Sequence, residues 1–174
     1  MQLNVETGNG LHNSNSYIDF IDIDEYLSSS VLEKWNALTD DEKIDRMITA
    51  SSFIDYSFNW IGQQKTLEQG LCWPRINVLF QNHLMPDNYV PNRIKRACVM
   101  ALVLIIEHGL FVFQETGESE VKKEKIGPME TEYFESLKTH SINNSQYSDI
   151  NNMLRGLFNT PQKSSIISVP LERR

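Results

Sequence analysis

The sequence is poor in several features that would point directly to a function. Its 174 residues include only two cysteines, which excludes a disulfide-stabilised scaffold. Eight glycines and six prolines are too few for a collagen-like or low-complexity chain. The most apolar stretch, 97–106, would reach only about 15 Å as a helix, roughly half a bilayer core. We therefore expect a buried helix there and no membrane contact, and the first ten residues lack the pattern of a secretion signal.

Motifs for catalysis and for cofactor binding are missing as well. The four histidines stand far apart, at positions 12, 83, 108 and 140, so no metal-ligand spacing is present. Gly8-Asn9-Gly10 lacks the lysine and the helix that a phosphate-binding loop requires. Cys98 lies in an apolar segment and Cys72 lies beside Trp73, so both are expected to be inert thiols. The sequence predicts a protein that is not an enzyme and that uses no cofactor and no metal.

Positive charge is scarce in the first third of the chain. Residues 1–60 carry eleven acidic and three basic side chains, a net charge of −8, whereas the whole chain carries −7. This acidic surface is either a solvated helical face or a surface that repels a negative partner or meets a basic one. The charge argues against broad nucleic-acid binding and predicts only weak binding of single-stranded DNA, with no saturable site below micromolar at physiological salt.

Helical periodicity is the strongest structural signal in the sequence. Thr39 and Glu42 form a capping box before a helix that is predicted to run to about Phe58. Asp19 is predicted to cap a short helix, and further helices are predicted over 91–108 and 149–158. The side chains expected to be mostly buried are Ile44, Ile48, Ile54, Ile94, Ala101, Leu102, Ile105 and Leu154. The fold class is therefore mostly α, a helical bundle with a small β-hairpin and an extended C-terminal arm.

The hairpin is predicted over residues 121–133, where two short charged segments flank a Gly-Pro turn. It has little apolar content of its own, so it needs a partner surface to be ordered. We expect it to contact a neighbouring subunit through Lys123, Lys125, Ile126 and Met129.

The last segment, 160–174, is predicted to be an extended arm beyond a helical domain of residues 1–159. Pro161 and Pro170 exclude one continuous helix through it. Its apolar and basic side chains suit docking along a strand edge or in a groove, and the residues expected to bind are Ile166, Ile167, Val169, Leu171, Arg173 and Arg174. A disordered tail with a chance apolar run is the alternative.

Aromatic side chains offer another possible nucleic-acid surface. Six of them are candidate base-stacking platforms: Tyr17, Trp35, Tyr56, Phe58, Trp60 and Trp73. Base stacking in single-strand binding proteins needs aromatics interleaved with Lys and Arg, whereas these aromatics are mixed with acids. Packing in the core or in an interface is the better interpretation.

Several short motifs, taken in order, resemble one known family. They are Gly8-Asn9-Gly10-Leu11, Asn15-Ser16-Tyr17, Ala37-Leu38-Thr39-Asp40, Leu71-Cys72-Trp73-Pro74-Arg75, Val90-Pro91 before Ile94-Lys95, and Glu124-Lys125-Ile126-Gly127-Pro128 with Glu132-Tyr133. Their order is similar to that in the tailed-bacteriophage family labelled "putative DnaT-like single-stranded DNA-binding protein", over about residues 5–158. That family resembles the head–tail connector proteins, which form mostly helical rings below the portal.

This resemblance implies a structural head–tail adaptor, a ring of twelve copies that extends the DNA channel. The partners it implies are the portal protein, to which the arm would bind, further copies of the chain, and tail or nozzle proteins. Double-stranded DNA would pass through the lumen without specific binding, and the location would be the neck of the virion after assembly in the host cytoplasm. The alternative functions are a DnaT-like single-stranded DNA-binding protein, an unrelated helical interaction domain and a small enzyme.

Overall fold

A computed structural model of the chain describes residues 2–27, 29–108 and 144–159. Its helices are Phe20–Tyr26 (α1), Ser29–Asn36 (α2), Asp40–Ser57 (α3), Asn92–His108 (α4) and Asn144–Leu154 (α5). Its strands are Gln63–Gln64 (β1), Arg75–Ile76 (β2), Leu79–Phe80 (β3) and His83–Leu84 (β4). The fold is mostly α with small β elements, which confirms the predicted fold class.

The helix α4 lies at the centre of the bundle and packs against the four other helices. Ile94, Ala97, Cys98, Ala101 and Leu102 on this helix are fully buried. The predicted central helix is thereby confirmed, as is its start close to Pro91. Within the described ranges, no helix is long and apolar enough to cross a membrane.

Both predicted helix caps are present. The Thr39 hydroxyl accepts a hydrogen bond from the Glu42 amide at 3.4 Å, and the Glu42 carboxylate accepts one from the Thr39 amide at 2.8 Å. Asp19 and Asp22 form the same reciprocal pair at the start of α1. Each box satisfies amide donors at a helix start that have no partner within the helix.

The helix α2 and the four strands were not predicted. Each strand has two residues, too few for an alternating pattern to appear in the sequence. β1 pairs with β2 and β3 with β4, both antiparallel. The turn between β3 and β4 consists of Gln81 and Asn82, with φ of 50° and 65°, as in the tight turns that match the strand twist.

The prediction of the last helix was wrong in its bounds, because α5 spans 144–154 instead of 149–158. Apolar spacing continues past its end at Leu157 and Phe158, so the periodicity does not mark the end. Gly156 adopts a left-handed backbone, with φ of 90°, and Phe158 then forms an antiparallel bridge with Trp60. The chain therefore leaves the helix and pairs with the segment that follows α3.

The predicted core is confirmed for six of its eight members, and Ile44 and Ile48 are half-buried on α3. The hairpin 121–133 and the arm 160–174 lie outside the described residues. The division into a domain of 1–159 and an arm of 160–174 therefore stays a prediction.

Candidate nucleic-acid interface

The first sequence motif, Gly8-Asn9-Gly10-Leu11, wraps around a buried carboxylate. Glu6 is 1% exposed, and its Oε1 accepts hydrogen bonds from the Gly8 amide at 2.8 Å and the Gly10 amide at 3.0 Å. Its Oε2 accepts a third from the Leu11 amide at 2.8 Å. The amides that could have bound a phosphate are used by the protein's own carboxylate, so this loop has a structural role.

The second and fourth motifs, Asn15-Ser16-Tyr17 and Leu71-Cys72-Trp73-Pro74-Arg75, meet at another buried carboxylate, that of Asp55 on α3. The Tyr17 hydroxyl and the Cys72 amide both donate to Asp55 Oδ1, and the Trp73 amide donates to the Tyr17 oxygen at 3.0 Å. Burial raises the pKa of the Asp55 carboxyl and that of the Tyr17 phenol above their ordinary values. The network joins the N-terminal segment to the loop after α3.

Arg75, the last residue of the Trp-Pro-Arg motif, is also used within the protein. Its Nε donates to the Ile61 carbonyl at 2.7 Å, its Nη2 to Gly62 at 2.8 Å and its Nη1 to Cys72 at 3.2 Å. The motifs at residues 8–11, 15–17 and 71–75 therefore build the scaffold.

The surroundings of both thiols disfavour the reactive thiolate. Burial and the nearby charge of Asp55 raise the pKa of the Cys72 thiol to about 11, and burial raises that of Cys98 further. Both are protonated at neutral pH and are poor nucleophiles. Within residues 2–27, 29–108 and 144–159, no group of three His, Cys, Asp or Glu side chains is placed to hold a metal ion.

Most of the aromatic side chains considered for base stacking lie in the core, which confirms the packing interpretation for them. Tyr17, Trp35, Phe58, Trp60 and Trp73 are each at least nine-tenths buried. Tyr56 is the exception, since 82% of it is exposed on α3.

Two arginines on the exposed side of α4 combine positive charge with aromatic rings. Arg93 lies over the ring of Phe80 in β3, with its guanidinium carbon 5.3 Å from the ring centroid. Arg96, one helical turn later, lies over Tyr26 at the end of α1 at 5.1 Å. Both arginines are exposed and form no ion pair within the described part of the chain. We call Arg93, Arg96, Phe80 and Tyr26 the arginine–aromatic surface.

Two further cations, Lys95 and Arg155, lie next to this surface. Lys95 binds the Asp22 carboxylate at 3.1 Å, so that acid is neutralised by a cation other than the two arginines. Arg155 is exposed just after α5, and Gly156 lies against the Phe80 ring, which places this turn beside Arg93. The Arg93 guanidinium donates to the Met153 carbonyl at 3.1 Å, and that bond fixes its position over Phe80.

Sequence reasoning missed this surface and placed its candidates elsewhere. All ten predicted binding residues lie outside the described residues: Lys123, Lys125, Ile126, Met129, Ile166, Ile167, Val169, Leu171, Arg173 and Arg174. The cluster Arg93-Ile94-Lys95-Arg96 was visible in the sequence as a basic flank before an apolar helix. Its aromatic partners come from distant parts of the chain, so only folding brings the two together.

Comparison with known proteins identifies one family. A family model described as "Putative DnaT-like ssDNA binding protein" matches residues 1–174. No curated protein and no solved structure matches the chain.

The family match overturns the head–tail adaptor interpretation. The family description supports the alternative, single-stranded DNA binding, and nothing in the comparisons indicates a phage connector. The portal and tail partners, the twelve-membered ring and the passive passage of double-stranded DNA are therefore wrong as assignments. The virion location and the absence of enzyme activity stay predictions. Because the match covers the whole sequence, the chain belongs to the family described as "Putative DnaT-like ssDNA binding protein".

Proposed function

We propose that the protein binds single-stranded DNA through the arginine–aromatic surface on α4. The family description supports the ligand class. The choice of site rests on one observation: two exposed guanidinium groups, one helical turn apart, each lie over an aromatic ring.

The chemistry of this surface suits an unpaired strand. A guanidinium offers a flat face on which a base can stack and N–H groups that donate to phosphate oxygens. The ring beneath it holds the guanidinium in place and favours the positive charge. Two such groups in succession can contact neighbouring nucleotides of an unpaired strand without distinguishing its base sequence.

The acidic body of the protein limits the strength of this binding. Counterion release contributes to affinity only where cations meet phosphates, and this surface provides few of them. We therefore expect an affinity in the micromolar range, which agrees with the weak binding that the charge predicts. The acidic segment 1–60 also disfavours contact with DNA outside this surface.

The test is a fluorescence anisotropy titration of a labelled twenty-nucleotide oligothymidylate at low salt. The double variant Arg93→Ala, Arg96→Ala is expected to bind about tenfold or more weakly, since stacked groups each contribute on the order of 1–3 kcal/mol. The charge-matched control is Lys34→Ala, Arg46→Ala, which removes two positive charges from α2 and α3. Equal losses in the two double variants would show that net charge, not this surface, determines binding.

A further inference from the structure

A cavity of about 400 Å³ lies between the end of α3 and α5, separate from the arginine–aromatic surface. Its walls combine three aromatic rings with three side-chain amides. They are Phe58, Tyr147 and Phe158, and Asn59, Asn151 and Asn159. A Lys or Arg side chain is absent from the described lining, so the cavity is not built to bind a phosphate group.

The walls of this cavity are held in place by contacts within the protein. The main-chain N–H of Asn159 donates to the main-chain carbonyl of Asn59 at 2.7 Å. This bond holds together the two chain segments that form one side of the cavity. The rings of Phe58 and Phe158 pack with their centroids 4.8 Å apart. On the other side, Tyr147 packs edge-on against Phe53 at 6.4 Å. The cavity is therefore preformed.

The amides around the cavity have unused hydrogen-bonding capacity. Within the described part of the chain, the side-chain amides of Asn59, Asn151 and Asn159 form no hydrogen bond to another protein group, and Asn59 and Asn159 are exposed to solvent. Each amide offers both donors and an acceptor. A flat ligand with donors and acceptors along its edge could pair with these amides while its faces contact the half-buried rings of Tyr147 and Phe158.

We propose that this cavity binds one nucleobase of the DNA strand, a proposal that rests on the proposed function. Base edges present the donors and acceptors that asparagine amides pair with, and base faces stack on aromatic rings. The cavity and the arginine–aromatic surface both adjoin the turn after α5: Gly156 lies against the Phe80 ring, and Phe158, two residues later, lines the cavity. One nucleotide would place its base in the cavity while the phosphates next to it meet the arginines.

The experiment compares oligothymidylate with an abasic oligomer of the same length and backbone. Asn151→Ala is expected to weaken binding of the oligothymidylate about two- to tenfold, the range for loss of a single hydrogen bond, and to leave abasic binding unchanged. The matched control is Asn152→Ala, the next residue of α5, which is exposed and does not line the cavity. Equal effects of the two variants would overturn the nucleobase assignment while leaving DNA binding intact.

A second measurement tests the cavity without the strand. Thymidine is titrated into the protein at millimolar concentration, and the side-chain amide signals of Asn151 and Asn159 are followed by NMR. Saturable shifts of the Asn159 amide signal that disappear in Asn151→Ala support the nucleobase site even if the arginine–aromatic surface fails its own test. Absence of any shift would overturn the nucleobase assignment. If thymidine binds but the oligothymidylate does not, only the proposed function is overturned.

Discussion

At the scale of single residues, the buried carboxylates are the most informative features. Glu6 and Asp55 each accept hydrogen bonds from groups in the motifs that resemble the family. Acceptors of this kind satisfy backbone donors that would otherwise be buried without partners. The motifs at residues 8–11, 15–17 and 71–75 are therefore explained by the folding of the loops, and their presence alone does not locate a ligand.

Asp55 gives a prediction for the dependence of stability on pH. Burial raises the pKa of its carboxyl in the folded protein, so the folded state holds this proton more tightly than the unfolded chain. The stabilisation of the folded state by this proton is fully present below the carboxyl's unfolded pKa of about 3.9. It is lost as the pH rises through the carboxyl's pKa in the folded protein. Urea denaturation from about pH 4 to pH 7 should show the wild type losing stability relative to Asp55→Asn, which cannot titrate. A constant difference between the two proteins over this range would contradict the account.

Gly8 gives a second prediction at this scale. Its φ is +101°, and a Cβ there would lie 2.1 Å from the Asn88 carbonyl oxygen. Gly10 also has a positive φ, of +72°, but its nearest contact would be at 3.4 Å. Gly10→Ala should cost about 1–2 kcal/mol for the left-handed backbone, and Gly8→Ala should cost more because the backbone must also move. Equal costs in chemical denaturation would show that the close approach to Asn88 is relieved without strain.

At the scale of elements, the long helices were predictable and the short ones were not. α3 and α4 carry apolar side chains at helical spacing over 18 and 17 residues, and a capping box marks the start of α3. α2 has eight residues and two serines at its start, so local propensity does not mark it. Val31 and Trp35 are nevertheless buried, which shows that tertiary packing forms this helix.

The strands and the end of α5 were likewise not predictable, because local periodicity does not mark them. A strand of two residues has no periodicity, and its pairing depends on turns such as Gln81-Asn82. The end of α5 depends on Gly156, because the apolar spacing continues beyond it. A glycine near a helix end is a signal that sequence reasoning could have used.

Leu102 tests the central position of α4. Its side chain is fully buried, so Leu102→Ala should lower the free energy of unfolding by about 2–5 kcal/mol if the site cannot collapse. Val103 is half-buried on the same helix, and Val103→Ala should cost clearly less. Comparable losses measured by chemical denaturation would contradict the assignment of Leu102 to the tightly packed side of the helix.

At the scale of the whole molecule, charge and function have to be considered together. The net charge alone argues against nucleic-acid binding. It adds an acidic first third to a local concentration of arginines, so it does not show where positive charge is concentrated. The chain order separates Tyr26, Phe80 and Arg93, and the fold brings them to one side of α4. The sequence could show the basic cluster, but not that its arginines lie over aromatic rings.

The central claim is that an acidic protein binds single-stranded DNA through two arginines on α4. The most direct measurement is the salt dependence of oligothymidylate binding for the wild type and for Arg93→Ala, Arg96→Ala. Each phosphate contact on a single strand contributes about 0.7 to the slope of log K against log salt, so the double variant should lose about 1.4 of that slope together with affinity. An unchanged slope in the double variant, or no saturable binding by the wild type at low salt, would contradict the claim.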